Sequence, residues 1–136
     1  MEHTRIDNIN GVTFRYLDDS YNSNLYGFKS ALNTLKHFEG IKVLITPGLV
    51  DTGNYSKELY LELIPNLLYL DEIIIIDNKS AQELISILRE KDLNYLLFKS
   101  LNQAINYILN KYKTFKDYKI NILLENDLPD NYLMRW

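Results

Sequence analysis

The chain has 136 residues, with 15 Lys and Arg against 18 Asp and Glu, and it has no cysteine. A domain of this length buries roughly two thirds of its unfolded surface, so it needs no disulfide or metal for stability. The lack of cysteine excludes disulfides, thiolate metal sites and cysteine nucleophiles, and it suits the cytoplasm. Dispersed basic residues disfavour nucleic acid as a partner. We expect no membrane insertion, because the longest apolar run, Ile73 to Ile76, is far below the ~20 residues that span a bilayer.

Hydrophobic patterning predicts five strands and four helices in strict alternation. The predicted strands are 12–17, 41–45, 71–77, 95–98 and 119–124. The predicted helices are 25–37, one from residue 55 onwards, 80–91 and 100–112. Connections this short favour right-handed parallel crossovers. We therefore predict an α/β class: a Rossmann-like three-layer sandwich with a mostly parallel sheet of about five to six strands.

The first ten residues are polar and irregular, and Asn10-Gly11 is a turn signal that leads into the first predicted strand. We interpret residues 1–10 as a linker or a short edge element, and residues 11–136 as the domain itself.

Local signals predict where the helices begin and end. Asn24 is expected to N-cap the first helix, and Gly40 to take the left-handed position at its C-terminal cap. Pro65 either ends the second helix or begins another turn. Ser80, with Glu83 three residues on, fits the capping box of the third helix.

Polar loops follow the predicted strands at 18–24, 46–53, 77–80 and 125–132. Because the carboxyl ends of parallel strands meet at one edge of a sheet, we expect these loops to share that edge. The run 18–24 is the leading ligand site, since it joins a strand to the positive end of a helix dipole.

Asp18 and Asp19 are paired carboxylates, but adjacent residues of a strand point to opposite faces, which disfavours an acid–base dyad. Either one also fits a structural role in a turn, where Asp bonds backbone N–H groups. Tyr21 and Asn22 could contact a ligand or simply close the turn.

No glycine-rich dinucleotide fingerprint, P-loop or nucleophile elbow occurs in the sequence. Gly48 and Gly53 flank a loop that could approach a phosphate, although a plain turn is the favoured explanation. The two histidines are His3 and His37, and His37 fits an exposed position near a helix C-terminus. No catalytic residue is assigned.

Three acidic residues near the C-terminus, Glu125, Asp127 and Asp130, could bind a hard cation through oxygen. Their spacing matches no EF-hand loop, and a solvated loop is the favoured explanation. No metal site is therefore predicted.

The segment Leu17 to Asn24 reads Leu-Asp-Asp-Ser-Tyr-Asn-Ser-Asn and leads into Phe28-Lys29-Ser30-Ala31-Leu32. It resembles the opening of the C-terminal domain of Mur ligases, closest to those that add D-alanyl-D-alanine to the UDP-muramoyl tripeptide. The loop 46–53 is similar to the next loop of that domain. Residues 124–132 resemble a subgroup of Mur-ligase-like proteins. The resemblance covers nearly the whole chain.

The resemblance implies a domain that closes over a central ATPase domain, in the same chain or in a partner chain. Such ligases use ATP and magnesium, held mainly by the central domain, to make an acyl phosphate that the amine of an amino acid or peptide attacks. The nucleotide-side contacts implied for this chain are Asp19, Tyr21, Asn22 and Asn24. The implied substrate-side residues are Gly48, Asp51, Glu125, Asn126 and Asp127.

Two departures from the family pattern matter. The family's phosphate loop lies in the central domain, so the chain by itself is expected to be inactive; it would be a fragment of a longer ligase or a standalone relic, and its polar start favours the fragment. The Lys-Gly-Ser-Arg segment of the D-alanyl-D-alanine enzymes is Glu125-Asn126-Asp127-Leu128 here, which puts carboxylate recognition in question. A rival interpretation is a standalone, non-catalytic module that binds a small ligand or a protein, with the aromatic tail from Asp130 as a docking segment.

Overall fold

The computed structural model describes residues 3–19, 24–49 and 56–125. The strands are β1 (His3–Ile9), β2 (Val12–Asp19), β3 (Ile41–Thr46), β4 (Glu72–Ile76), β5 (Leu96–Phe98) and β6 (Lys119–Glu125). The helices are α1 (Leu25–Lys36), α2 (Ser56–Leu67), α3 (Gln82–Glu90) and α4 (Leu101–Tyr112), with a 3₁₀ turn at Lys79–Ala81. The predicted α/β class is confirmed, with one strand more than the patterning indicated.

The six strands form one sheet in the order β1-β2-β6-β3-β4-β5. Strands β2 to β6 are parallel, and β1 runs antiparallel to β2 at one edge. Strand β6, the last in the chain, lies between β2 and β3, so the chain moves outward to β5 and then returns to the centre of the sheet. The carboxyl ends of five strands share one edge, which confirms the predicted grouping of the strand ends.

Helices cover both faces of the sheet. Helices α1, α2 and α3 pack on one face, in a core that includes Leu17, Leu44 and Leu123. Helix α4 packs alone on the opposite face, against Ile74 and Ile122. This arrangement is the predicted three-layer sandwich. Among the described residues, no helix combines the length and the apolar surface needed to cross a bilayer.

The N-terminal strand β1 is joined to β2 by a tight hairpin. Asn10 and Gly11 both have positive φ, 52° and 85°, as a two-residue type I′ turn requires. Residues 3–9 are therefore an edge strand, and Asn10-Gly11 links two strands rather than simply preceding one.

The expected cap at Gly40 is wrong. Helix α1 ends at Lys36, and its C-cap is His37, which is exposed as predicted. Gly40 does have a positive φ of 107°, but for a different reason: a Cβ there would lie 2.2 Å from the carbonyl oxygen of Lys119. Glycine is needed because β6 passes close to the backbone.

Two further helix signals act differently from the prediction. Pro65 neither ends α2 nor begins a new turn, since the helix continues to the buried Leu67. Because Pro65 lies near the C-terminus of α2, the missing N–H costs a single hydrogen bond of the last turns. Ser80 is not the cap of α3; Asn78 caps the preceding 3₁₀ turn, where its Oδ1 accepts a hydrogen bond from the backbone N–H of Ser80 at 2.7 Å.

Two strands extend further than predicted at the carboxyl edge of the sheet, where the predicted site residues lie. Strand β2 continues through Asp18 and Asp19, and β6 continues to Glu125. The solvated loop expected at Glu125 is wrong, because its side chain is 0% exposed. The register explains both extensions, since Asp19 and Glu125 pair as the last rung of the β2–β6 ladder.

Candidate functional site

Asp19 and Glu125 lie side by side at the carboxyl edge of the sheet. Leu17 and Leu123 belong to the core on the α1 face, and residues two positions apart in a strand share a face. Asp19 and Glu125 therefore point to the α1 face, with their carboxyl groups within hydrogen-bonding reach. The structure thus joins one predicted nucleotide contact to one predicted substrate contact.

Burial and like charge dominate the electrostatics of this pair. Burial, the carboxyl of Asp19 and the more distant Asp18 together raise the pKa of Glu125 from 4.5 to about 11. Within the described part of the chain, neither oxygen of Glu125 has a hydrogen-bond donor. Two ionised carboxylates both only accept, so their contact becomes a hydrogen bond when one of them carries a proton. At neutral pH Glu125 is consequently the protonated member.

Asp18 lies on the opposite face from this pair. It is 3% exposed, and its neighbour in the ladder is Leu124 of the α4-side core. Asp18 and Asp19 therefore do not form the dyad that their sequence adjacency suggests. The carboxyl beside Asp19 is that of Glu125, which is more than a hundred residues further along the chain, and no local sequence pattern predicts this contact.

Asn24 lies where the chain enters α1, at the same edge. Its Oδ1 accepts a hydrogen bond from the backbone N–H of Gly27 at 2.7 Å, which confirms the predicted N-cap. The side chain is exposed, but its carbonyl oxygen is engaged by the helix. A nucleotide contact by Asn24 would use its remaining amide group.

Gly48 is fixed by the neighbouring loop. Its φ is 90°, and a Cβ would lie 2.9 Å from both the carbonyl oxygen of Ser80 and the hydroxyl of Tyr60. The backbone N–H of Gly48 donates to Thr46 Oγ1 at 3.1 Å. Any contact of Gly48 with a substrate would therefore be made by its backbone.

Two residues that the sequence did not single out hold this loop in place. Tyr60 is 0% exposed, and its hydroxyl accepts a hydrogen bond from the N–H of Leu49 at 2.7 Å. Burial raises the pKa of Tyr60, so the hydroxyl stays protonated. Asn78 Nδ2 donates to the carbonyl oxygen of Pro47 at 2.9 Å, which ties the β3 loop to the β4 loop. An Asn after a strand signals a turn but not this contact.

The remaining candidates lie outside the described residues: Tyr21, Asn22, Asp51, Asn126 and Asp127. The same holds for Gly53 and Asp130. Within the described ranges, no group of three or more acidic or histidine side chains is arranged to hold a metal ion.

These elements form a Rossmann-like α/β domain with an acidic pair at the carboxyl edge of its parallel strands. No protein-family model and no curated protein matches the sequence. Solved structures do match. A crystal structure of MurF from Acinetobacter baumannii aligns with a TM-score of 0.66 at 20% identity, over 96% of this chain and 29% of that chain.

Two other solved structures are similar. MurF ligase from Thermotoga maritima, in complex with ADP, aligns with a TM-score of 0.65 at 19% identity, over 90% of this chain and 26% of that chain. A domain of a candidate UDP-N-acetylmuramate:L-alanyl-γ-D-glutamyl-diaminopimelate ligase from Haemophilus ducreyi aligns with a TM-score of 0.57 at 14% identity, over 95% of this chain and 90% of that domain.

The chain therefore has the fold of a Mur ligase C-terminal domain, as the resemblance of residues 17–24 implied. It spans less than a third of the length of the MurF chains that it matches. At these identities the likeness concerns the fold.

Proposed function

We propose that the chain is the C-terminal domain of an ATP-dependent, amide-bond-forming ligase of the Mur type, and that it closes over a central ATPase domain. The observation that carries this proposal is the fold match along 96% of the chain to a part of MurF. One solved relative binds ADP, which supports a nucleotide as the common ligand. Such a ligase works in the cytoplasm, where ATP is supplied, on a precursor of peptidoglycan.

In this reaction ATP transfers its γ-phosphoryl group to a substrate carboxylate, releasing ADP. The amine then attacks the acyl carbon, phosphate leaves, and the nitrogen loses its proton as the amide forms. The central domain supplies the phosphate loop and magnesium. This chain contributes orientation and water exclusion, which account for much of the rate in reactions of two bound substrates.

The site residues divide between the two ligands. On the nucleotide side we place Asp19 and Asn24, with Tyr21 and Asn22. On the amine side we place Gly48 and Glu125, with Asp51, Asn126 and Asp127. The contact between Asp19 and Glu125 supports a common site, since the amine has to meet the acyl phosphate where the nucleotide ends.

The test uses the ligase that contains this chain together with a central ATPase domain. We expect ATP-dependent amide formation, and a loss of about 100-fold when Asp19→Ala and Asn22→Ala are combined, because closure then misplaces the reactants. Glu90→Ala, an exposed carboxyl at the end of α3, is the matched control and should retain full turnover. Undiminished turnover in the double variant would contradict the site assignment.

A standalone module that binds a small ligand or a protein is the second candidate. The buried carboxyl of Glu125 supports it, because the described residues give this carboxyl no hydrogen-bond donor and a ligand would supply one without a second domain. The two functions differ in what the isolated chain binds. For a ligase domain we expect ATP to leave the melting temperature of the isolated chain unchanged. A clear rise with nucleotide would favour the module.

A further inference from the structure

The N-terminal strand β1 forms one edge of the sheet. It runs for seven residues, and within the described part of the chain β2 is the only strand that pairs with it. The outer side of an edge strand presents a row of N–H and C=O groups with which another strand can pair. Strand β5, at the opposite edge, is three residues long, so β1 offers the longer template for such pairing.

The hairpin fixes which backbone groups of β1 face outward. Ile9 and Val12 flank the two-residue turn and form the first hydrogen-bonded pair, after which bonded and non-bonded pairs alternate. The N–H of Thr13, opposite Asn8, accordingly points away from β1 and donates to the carbonyl oxygen of Tyr118 at 3.0 Å. The residues whose backbone groups point away from β2 are therefore Thr4, Ile6 and Asn8.

The side chains along this edge combine an exposed apolar residue with two charges. Ile6 is 58% exposed, and the strand contains neither Lys nor Pro, which commonly protect free edges. Arg5 and Asp7 lie on the opposite face from Ile6, with Arg5 Nε 3.0 Å from Asp7 Oδ1 and side chains that are 38% and 30% exposed. A strand without matching charges would meet both of them unfavourably, so the edge discriminates between partners.

The sequence of β1 is complementary to itself. When two copies pair antiparallel with Ile6 opposite Ile6, Arg5 of each copy lies opposite Asp7 of the other. This register joins outward backbone groups to outward backbone groups, and it places Arg5 and Asp7 in a non-hydrogen-bonded pair, where side chains approach most closely. Sliding one copy by two residues would place Arg5 opposite Arg5 or Asp7 opposite Asp7, which is destabilising.

We propose that β1 is a self-association surface, on which the β1 strand of a second copy of this chain pairs antiparallel about a two-fold axis at Ile6. Each Arg5 keeps the Asp7 of its own chain and gains the Asp7 of the second copy, so that four charges alternate in sign. The exposed Ile6 side chains cover each other on the other face. The proposal concerns a different edge from the candidate site and does not rest on the proposed function.

The pairing has a geometric consequence for the two sheets. Because β1 is antiparallel to β2 in each copy, the β2 strands of the two copies run in opposite directions. The sheet continues from one copy to the other, and the carboxyl ends of the parallel strands lie on opposite sides of it. Self-association therefore leaves the Asp19–Glu125 end of each copy away from that of its partner.

Analytical ultracentrifugation of the purified chain measures the association. We expect the mean mass to rise from that of one chain towards that of two between about 10 µM and about 1 mM, because a single pair of strands is at the small end of protein interfaces. A chain that stays monomeric throughout would mean that β1 is covered by another segment of the chain or binds a different partner, and it would overturn the proposal.

Charge reversal tests the contact between Arg5 and Asp7. The variants Arg5→Asp and Asp7→Arg each place like charges opposite one another, so each alone should associate at least about tenfold more weakly than the parent chain. An equimolar mixture of the two should associate within about threefold of the parent chain, because each copy then meets the opposite charge. A mixture that associates no better than the single variants would overturn the proposal.

The matched control is Lys99→Asp, a charge reversal at an exposed residue that follows β5. It should associate like the parent chain. A weaker association of Lys99→Asp would place the contact at the other edge of the sheet and would contradict the role of β1.

Introduced thiols test the register, since the chain has no cysteine of its own. In a glutathione redox buffer Ile6→Cys should form a disulfide between copies, because hydrogen-bonded partners in an antiparallel ladder have Cα atoms about 5.5 Å apart, within disulfide range. Thr4→Cys lies opposite Asn8 and should cross-link at least about tenfold less. Equal cross-linking would overturn the proposal. Both variants keep the charges of β1, so they carry the test if the charge-reversal variants do not fold.

Discussion

Glu72 and Glu125 are two carboxyl groups that are largely shielded from solvent, one at the amino end and one at the carboxyl end of the parallel strands. Among the described residues, hydrogen-bond donors reach Glu72 but not Glu125. Glu72 begins β4, and its side chain is 8% exposed. It accepts hydrogen bonds from the hydroxyls of Tyr107, at 2.8 Å, and Tyr112, and Lys111 Nζ lies 3.3 Å away. Glu125 ends β6 beside the carboxyl of Asp19, and among the described residues neither of its oxygens has a hydrogen-bond donor. The described residues supply donors to Glu72 but none to Glu125.

The titration of the neighbouring groups follows the same division. Burial raises the pKa of Tyr112, and the hydrogen bond to Glu72 raises it further, so the hydroxyl keeps donating at any ordinary pH. Burial and the same acid raise the pKa of Tyr107. Around Glu72, raised pKa values preserve donors. At Glu125, burial raises the pKa of the carboxyl itself, so the group is neutral rather than charged at neutral pH.

The largest effect on stability is expected when the carboxyl of Glu72 is removed. Glu72→Ala should lower the free energy of unfolding by about 3 kcal/mol, because two tyrosine hydroxyls and Lys111 lose their common partner. Urea denaturation measures the change. Glu58→Ala, an exposed carboxyl on α2, is the control and should lie within about 0.5 kcal/mol of the parent chain. A loss below about 1 kcal/mol for Glu72→Ala would mean that the cluster is not structural.

Replacing Glu125 should stabilise the protein at higher pH, whereas replacing Glu72 should destabilise it. The unfolded chain loses the Glu125 proton near pH 4.5, whereas the folded chain holds it up to about 11. The folded state therefore binds more protons between these values, and the stability from this group is lost as the pH rises, by up to about 1.4 kcal/mol per pH unit. Glu125→Gln removes this dependence, so the variant should gain on the parent chain with increasing pH.

Urea denaturation from about pH 5 to about pH 8 checks this sign. The curves of parent chain and variant should diverge, with the variant the more stable at the upper end. The control is Glu90→Gln, at an exposed carboxyl on α3, and its curve should run parallel to that of the parent chain. Parallel curves for Glu125→Gln would show that the carboxyl is already ionised and compensated in the folded state.

The contrast also separates what the sequence predicts from what it does not. The Ile73 to Ile76 run and the spacing of Leu101, Ala104, Ile105 and Ile108 are local patterns, and they gave β4 and α4 within a residue or two. The α/β class follows from such patterns alone. The hairpin at Asn10-Gly11 was also readable, since that dipeptide is the strongest two-residue hairpin signal.

The acid pair could not be predicted, because it depends on strand order. Asp19 meets Glu125 only because β6 inserts between β2 and β3, and several orders of parallel strands satisfy the same local patterns. Glu125 resembled the start of a polar tail, since Asn126 and Asp127 follow it. Burial at that position is a consequence of the ladder rather than of local composition.

A smaller effect is expected at the tyrosines whose hydroxyls donate hydrogen bonds to Glu72. Tyr112→Phe removes one donor and keeps the ring, which packs edge-on against Phe115 with centroids 4.9 Å apart. We expect a loss of about 1.5 kcal/mol, at the lower end of the usual range for a hydrogen bond to a charged group, because Tyr107 still donates to Glu72. Chemical denaturation measures it, and Tyr26→Phe, 85% exposed on α1, is the matched control. An unchanged stability would mean that Tyr107 alone satisfies Glu72.

The smallest effect is expected at Lys111, and it decides whether charge or hydrogen bonding completes Glu72. The Lys111 side chain is 43% exposed, and exposed ion pairs contribute little because water and salt screen them. Lys111→Met should therefore cost below about 0.5 kcal/mol, and the difference should vanish in about 1 M NaCl. A larger, salt-sensitive loss would show that the acid is neutralised by a cation. In that case Glu72 would be held mainly by the positive charge of Lys111 rather than by the tyrosine hydroxyls.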